Sequence, residues 1–245
     1  VKQPQYVETL GSATVICVDK TDTLTQNKMS IEFLYNAATG RSIGIQDSAA
    51  LPGVVIEFAM WSSETNPFDP MEKAIHEAYN NHTDTTRLQH LEMVYEYPLQ
   101  GHPPMMTHVY EQGDNNIVAA KGAAERILCI SKINDSDTKK IKQQILSLAS
   151  KGYRVIGVAS AQHTQSAFPA QQDDFNWKFE GLLALYDPPK KNITTVLKQF
   201  YDAKIDIKMI TGDFPETAIN IAGQVGIINH LKYTTGDAVM NMKEE

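Results

Sequence analysis

The residues best suited to do chemistry lie at two places far apart in the chain. Asp19-Lys20-Thr21-Asp22-Thr23-Leu24-Thr25 follows directly on the apolar run Ala13-Thr14-Val15-Ile16-Cys17-Val18, and Thr211-Gly212-Asp213 follows on Ile205-Asp206-Ile207-Lys208-Met209-Ile210. Each reads as a buried strand that delivers a polar loop carrying a carboxylate. An exposed carboxylate beside cationic and amide donors is what phosphoryl transfer requires, together with a metal to offset charge on the equatorial oxygens.

The elements that must position these loops are legible around them. Ile193, Val196, Leu197 and Phe200 recur at helical spacing before the second strand, and Pro215 opens a segment with Ala218, Ile219, Ala222 and Val225 on one face. Helix, strand and helix in that order predict a parallel α/β sheet. Ligands bind beyond the carboxyl ends of such strands, so Asp19 and Asp213 are expected to meet there. Residues from roughly 31 to 180 have another texture. Alternating runs such as Thr107-His108-Val109-Tyr110 and Asn116-Ile117-Val118-Ala119-Ala120 mix with helices expected around Pro70 to Asn80 and Asp137 to Lys151, the latter N-capped by Asp137 and stopped by Gly152. Tyr153 to Ala159 reads as a further strand. The middle is therefore expected to be an α+β domain inserted into the α/β one.

Composition sets the bounds. The 245 residues suffice for one large domain or two ordinary ones, and 42% hydrophobic with 21% charged describes a globular chain. No stretch approaches the roughly 18 consecutive apolar residues of a membrane span, and Val1-Lys2-Gln3-Pro4 is not a secretory signal, so the polypeptide is not expected to cross a membrane. A net charge of -7 disfavours a general nucleic-acid binder. Cys17 and Cys129 have no CxxC or His-rich partner, and two buried, reduced thiols are expected.

The loop Asp19 to Thr25, with Glu8-Thr9-Leu10-Gly11-Ser12 before it and Gln26-Asn27-Lys28-Met29 after it, resembles the P-type ATPase signature Asp-Lys-Thr-Gly-Thr-Leu-Thr with one substitution. The resemblance implies Asp19 as the nucleophile that accepts the γ-phosphate of ATP, with Lys20 and Thr21 beside it and Mg²⁺ held in part by the Asp19 carboxylate and the Thr21 carbonyl. Thr211-Gly212-Asp213 resembles the family's Thr-Gly-Asp element, whose threonine contacts phosphate. Asp187-Pro188-Pro189-Lys190 resembles its Asp-Pro-Pro-Arg element, where the flanking charges can reach phosphate or the partner domain; lysine keeps the charge but loses the bidentate fork. Lys121-Gly122-Ala123-Ala124-Glu125 resembles Lys-Gly-Ala-Pro-Glu, implying Lys121 along the ATP pocket and Gly122 where ligand nears the backbone. Asp69-Pro70-Met71-Glu72 resembles the acidic Asp-Pro-Thr-Glu element, with Glu72 on the adenine side, and Gly152-Tyr153-Arg154-Val155 resembles the segment with a phosphate-directed arginine, Arg154.

Three departures qualify the resemblance. Asp22 replaces a glycine expected at unusual backbone geometry. Two like charges about 4 Å apart repel by roughly 4 kcal/mol at an effective dielectric of 20, which hinders an incoming γ-phosphate unless metal offsets it; the alternative is that Asp22 points away or joins the metal shell. Leu99 and Pro104 stand where the family has phenylalanine and lysine, so weak ATP binding is expected. The chain also reaches Glu245 without a Gly-Asp-Gly-x-Asn-Asp motif. The expected architecture is an incomplete HAD-like parallel sheet, residues 1–30 and 182–245, around an inserted antiparallel nucleotide-binding domain, residues 31–181. The resemblance, to calcium-type or proton-type cation pumps, places the parent protein's catalytic region at the cytoplasmic face of a membrane, with actuator and transmembrane domains elsewhere; this chain by itself is expected to be a soluble monomer. Two alternatives stand beside it: a degenerate nucleotide-binding module that is not phosphorylated, and a free-standing HAD phosphatase. The second is disfavoured because that class has an acid two residues after the nucleophile, where this chain has Thr21.

Overall fold

The computed structural model describes residues 13–45, 53–82, 91–113, 115–164 and 167–242. They fall into two compact units, the first made of the segments up to Lys28, Ala149–Gly152 and from Asp187 onward, the second of Met29–Leu148 and Tyr153–Tyr186. The flank Glu8 to Ser12 lies outside the described residues.

In the first unit, β1 (Val15–Asp19) pairs in parallel with β9 (Asp206–Ile210), with Val15 opposite Asp206 and Asp19 opposite Ile210. Helix α5 (Ile193–Asp202) precedes β9 and α6 (Pro215–Val225) follows it, as the helical spacings require. Pro215 opens α6 and Gly226, at φ 86, closes it in the left-handed conformation. A short α7 (Gly236–Met240) comes last among the described residues. The strands are not buried as expected. Every residue of β1 is exposed or intermediate, and Val15 and Ile210 stand 49% and 62% exposed, because among the described residues β1 and β9 pair only with each other. Cys17 is exposed for the same reason, and Cys129 is exposed too, so both thiols depart from the buried expectation.

The second unit is built on a seven-stranded antiparallel sheet in the order β3-β2-β8-β7-β6-β5-β4. Its strands are β2 (Ser30–Asn36), β3 (Arg41–Gly44), β4 (Glu92–Gln100), β5 (Met105–Gln112), β6 (Asn115–Ala123), β7 (Arg154–His163) and β8 (Lys178–Tyr186). Helices α1 (Gly53–Trp61) and α2 (Pro70–His82) pack on one face, where Leu34, Val55, Ile56, Ala59, Ile75, Val158 and Leu183 form a solvent-free core. Helix α3 (Ala124–Ile130) lies on the other face: a Cβ on Gly157 would sit 2.7 Å from the Ile127 Cβ. With both faces covered, Met105–Tyr110 of β5 are all buried, which is why the run does not read as a clean alternation. Helix α4 (Asp135–Ala149) buries Ile141, Ile145 and Leu148, as expected, but Asn134 rather than Asp137 caps it, its Oδ1 accepting from the Asp137 amide at 2.9 Å. Gly152, at φ 88, follows the helix end.

Candidate functional site

The first unit brings the two carboxylate loops together. Asp19 is the last residue of β1 and Ile210 the last of β9, in register, so both loops leave the same end of the strand pair. Lys20 and Asp213 then form a buried ion pair at 2.5 Å, with side chains 4% and 9% exposed. Asp19 itself is exposed. Thr211 Oγ1 accepts from the Asp213 amide at 3.2 Å, and the space around Gly212 is open.

The Lys20–Leu24 segment turns because Thr21 is extended (φ -76, ψ 132) and Asp22 is left-handed (φ 59, ψ -4). The glycine-like geometry expected at position 22 is therefore present, and aspartate is among the few residues that tolerate it. Lys190 meets this residue: its Nζ donates to the Asp22 carbonyl and stands 3.7 Å from the carboxylate.

Asp187 has a different employment from phosphate contact. Its Oδ2 accepts from the buried Thr25 hydroxyl at 2.6 Å and its Oδ1 from the Lys28 amide at 3.1 Å. Alongside, Gln26 N donates to the Pro188 carbonyl at 2.9 Å and Lys190 N to the Leu24 carbonyl at 2.9 Å. The prolines donate nothing, so Gln26 bonds their carbonyls, and the two segments form a clasp where the chain passes to and from the second unit.

In the second unit Lys121 and Glu72 meet. Lys121, 2% exposed on β6, pairs with Glu72 Oε1 at 2.7 Å, donates to the Ser62 carbonyl and lies 3.1 Å from Met106 Sδ. Burial pulls the lysine below its ordinary pKa, and the Glu72 charge opposes that. Glu72 sits in the first turn of α2, where Asp69 Oδ1 takes the Met71 amide at 2.8 Å. The neighbours of this pair escape a motif search. The Trp61 carbonyl accepts from His108 Nδ1 at 3.0 Å and from the Tyr110 hydroxyl at 2.8 Å. These bonds and that of Lys121 satisfy carbonyls at the C-terminal end of α1 that have no partner within the helix, and a cation is favoured there. Burial, then the Lys121 charge, lower the His108 pKa; burial, then Glu64, push Tyr110 up to about 12. The alternation His108-Val109-Tyr110 already puts both polar tips on one face, but their partner is a main-chain atom, which no side-chain pattern reports.

Gly122 is next to Lys121 on β6, whereas Arg154 is placed apart from that pair. Gly122 faces its own neighbouring strand: a Cβ there would lie 2.6 Å from the Pro104 carbonyl oxygen and 2.7 Å from Met105 Cα. Arg154 opens β7 opposite Leu185, four residues before Val158, the register partner of Lys121, roughly 13 Å away by strand rise. Leu99 is 61% exposed on β4. The turn after it is held by Arg126, whose guanidinium reaches the Gln100 and Pro103 carbonyls at 2.6 and 2.8 Å and Asp173 at 2.7 Å.

Residues 68–192 match the family model of "P-type ATPase, cytoplasmic domain N". The chain is 30% identical over 290 aligned positions to "Calcium-transporting ATPase 1" of Saccharomyces cerevisiae, covering all of this chain and 30% of the relative. It is 30% identical to "Calcium-transporting ATPase 1" of Bacillus cereus, over 93% of this chain and 28% of the relative. With "Probable cation-transporting P-type ATPase" of Mycoplasma genitalium it shares 31% identity, over 93% of this chain and 26% of that protein. The chain thus spans under a third of the length of each of these relatives. No helix among the described residues is long and apolar enough to cross a membrane. With half of its residues matched to that model, the chain belongs to the P-type ATPase family and carries its cytoplasmic domain N.

Proposed function

We propose that the chain binds ATP through its second unit and that Asp19 accepts the γ-phosphate, as the step that drives cation transport in a complete pump. The observation that carries this reading is the parallel register of β1 and β9, which sets exposed Asp19 beside a Thr211-Gly212-Asp213 loop fixed by the Lys20–Asp213 ion pair. On this reading residues 1–30 and 182–245 form an HAD-like phosphorylation domain around a nucleotide-binding domain of residues 31–181. The Asp19 carboxylate would attack the γ-phosphorus, and ADP would leave. Thr211 and the open backbone at Gly212 would receive the phosphate oxygens. The donor set fits magnesium, since the exposed Asp19 carboxylate and the carbonyl of extended Thr21 are hard oxygens; a bound ion would offset charge on the transferring group. Lys121 and Glu72, with Gly122 next to Lys121 and Arg154 farther along the sheet, are assigned to the nucleotide. Lys190 is assigned to positioning the Asp22 turn and Asp187 to the clasp.

A second reading, a nucleotide-binding module that is not phosphorylated, is favoured by Asp22, whose left-handed turn adds a negative side chain two residues beyond Lys20. Incubation with Mg²⁺ and γ-labelled ATP separates the two. An acid-stable, hydroxylamine-labile adduct that disappears in Asp19→Asn is expected. Nucleotide binding with no adduct, even in Asp22→Gly, would support the module and overturn Asp19 as acceptor.

A further inference from the structure

Outside the groups assigned above, the second unit gathers a histidine and two carboxylates whose chemistry the proposed function does not use. One ligand atom each from Glu64, Glu96 and His108 lies within 4.8 Å of the others. Glu96 on β4 and His108 on β5 are direct register partners, and cross-strand neighbours have Cβ atoms about 5 Å apart. Glu64 follows the end of α1, and its backbone amide donates to Glu72 Oε1 at 3.3 Å. Acidic residues near one another would mean little by themselves. The second observation is His108, which is 1% exposed. Its Nδ1 faces the Trp61 carbonyl at 3.0 Å, and because a carbonyl only accepts, Nδ1 holds the proton. Nε2 is then a lone-pair donor, and it is buried with no hydrogen-bond partner among the described residues. An orphaned buried nitrogen is costly unless something ligates it. A backbone carbonyl that fixes the tautomer through the opposite ring nitrogen is the arrangement that orients metal-binding histidines.

We propose that Glu64, Glu96 and His108 form a binding site for one divalent transition-metal ion, zinc in the first place. One imidazole and two carboxylates form a mixed nitrogen and oxygen set of the kind zinc takes with three protein ligands and water in the fourth position, and the two carboxylates neutralise its charge. Tetrahedral ligands at zinc–ligand distances near 2.0 Å stand about 3.3 Å apart, so the ligand atoms must close somewhat. Glu64 and Glu96 are exposed and free to swing, whereas His108 is already fixed. The ion would brace the turn after α1, whose Ser62 carbonyl and Glu64 amide hold the Lys121–Glu72 pair. The site stands independently of phosphorylation at Asp19.

The test is equilibrium dialysis of the chelator-stripped 245-residue chain against zinc, with metal analysis, and cobalt substitution read by visible absorption. One equivalent of zinc in the micromolar range and intense tetrahedral cobalt bands are expected. Glu64→Gln and Glu96→Gln, at exposed positions that leave the fold intact, should each weaken binding at least about tenfold, and the double variant should lose the site. The ¹⁵N resonance of His108 Nε2 should shift on zinc addition and stay still in the double variant. Stoichiometric binding that survives in the double variant, or no zinc binding at about a hundred micromolar, overturns the site. Surface histidines, drawn from the seven in the chain, would show as binding the variants do not change.

Discussion

Lys121 is 2% exposed, and Glu72 and the Ser62 carbonyl surround its Nζ. Removing one member of such a pair strands the other, whereas replacing both with apolar groups of similar size does not. Lys121→Met is therefore expected to cost about 3–5 kcal/mol, and Lys121→Met combined with Glu72→Leu to recover most of it, as a double-mutant cycle in denaturant unfolding would show. Tyr110 carries a pH dependence of known sign. Its folded pKa, about 12, lies above the ordinary 10.0, so the unfolded chain loses this proton first. The contribution is fully present below pH 10 and is lost as pH rises through about 12. The gap is worth on the order of 2–3 kcal/mol, and Tyr110→Phe should flatten the alkaline fall in stability while leaving the slope near neutrality unchanged.

At the scale of elements, the antiparallel sheet depends on places where a side chain cannot fit. Gly181 on β8 pairs with Asn36 of β2 and Val158 of β7, beside a register shift. A Cβ there would lie 2.0 Å from the Tyr35 carbonyl oxygen and 2.9 Å from Val55 Cγ2. Backbone cannot yield as a flexible side chain can, so Gly181→Ala should lower stability by about 3 kcal/mol, at the upper end for overpacking, and loosen the β2–β8 pairing. Loss of protection at Phe33 to Asn36 amides would report the second effect. Gly122 and Gly157 face each other across β6 and β7, and each is pressed by a neighbour, one by β5 and the other by α3. The glycine of the Lys-Gly-Ala segment thus has a packing reason that its resemblance to a nucleotide-site motif does not mention.

For the molecule as a whole, the two units differ in how their strands are protected. β6 and β7 lie inside a seven-stranded sheet with Val118, Ala119, Ala120, Val158 and Ala159 fully buried. β1 and β9 form a pair whose residues are mostly exposed or half-buried, Ile207 excepted. A two-stranded arrangement is marginal in water, so amides of β1 and β9 should exchange orders of magnitude faster than those of β6 and β7. Equal protection in both units would show that the first unit gains stability from something other than this strand pair.

The sequence by itself determined the local elements and the family. Helical spacing gave α5 and α6, Pro215 marked the start of α6, and the two apolar runs before Asp19 and Asp213 became a parallel pair, because period and punctuation are properties of a short window. The left-handed turn at Asp22 was legible from the glycine expected there. Only the tertiary structure decided burial and partnership. It exposed β1 and both cysteines, since burial depends on what covers a strand and not on its own apolarity. It tied Asp187 to Thr25 and Lys28, 162 and 159 residues away, and gave His108 and Tyr110 a main-chain acceptor in Trp61. It also set Glu96 opposite His108 through strand register, which is fixed by the packing of the whole sheet and left no mark in either segment alone.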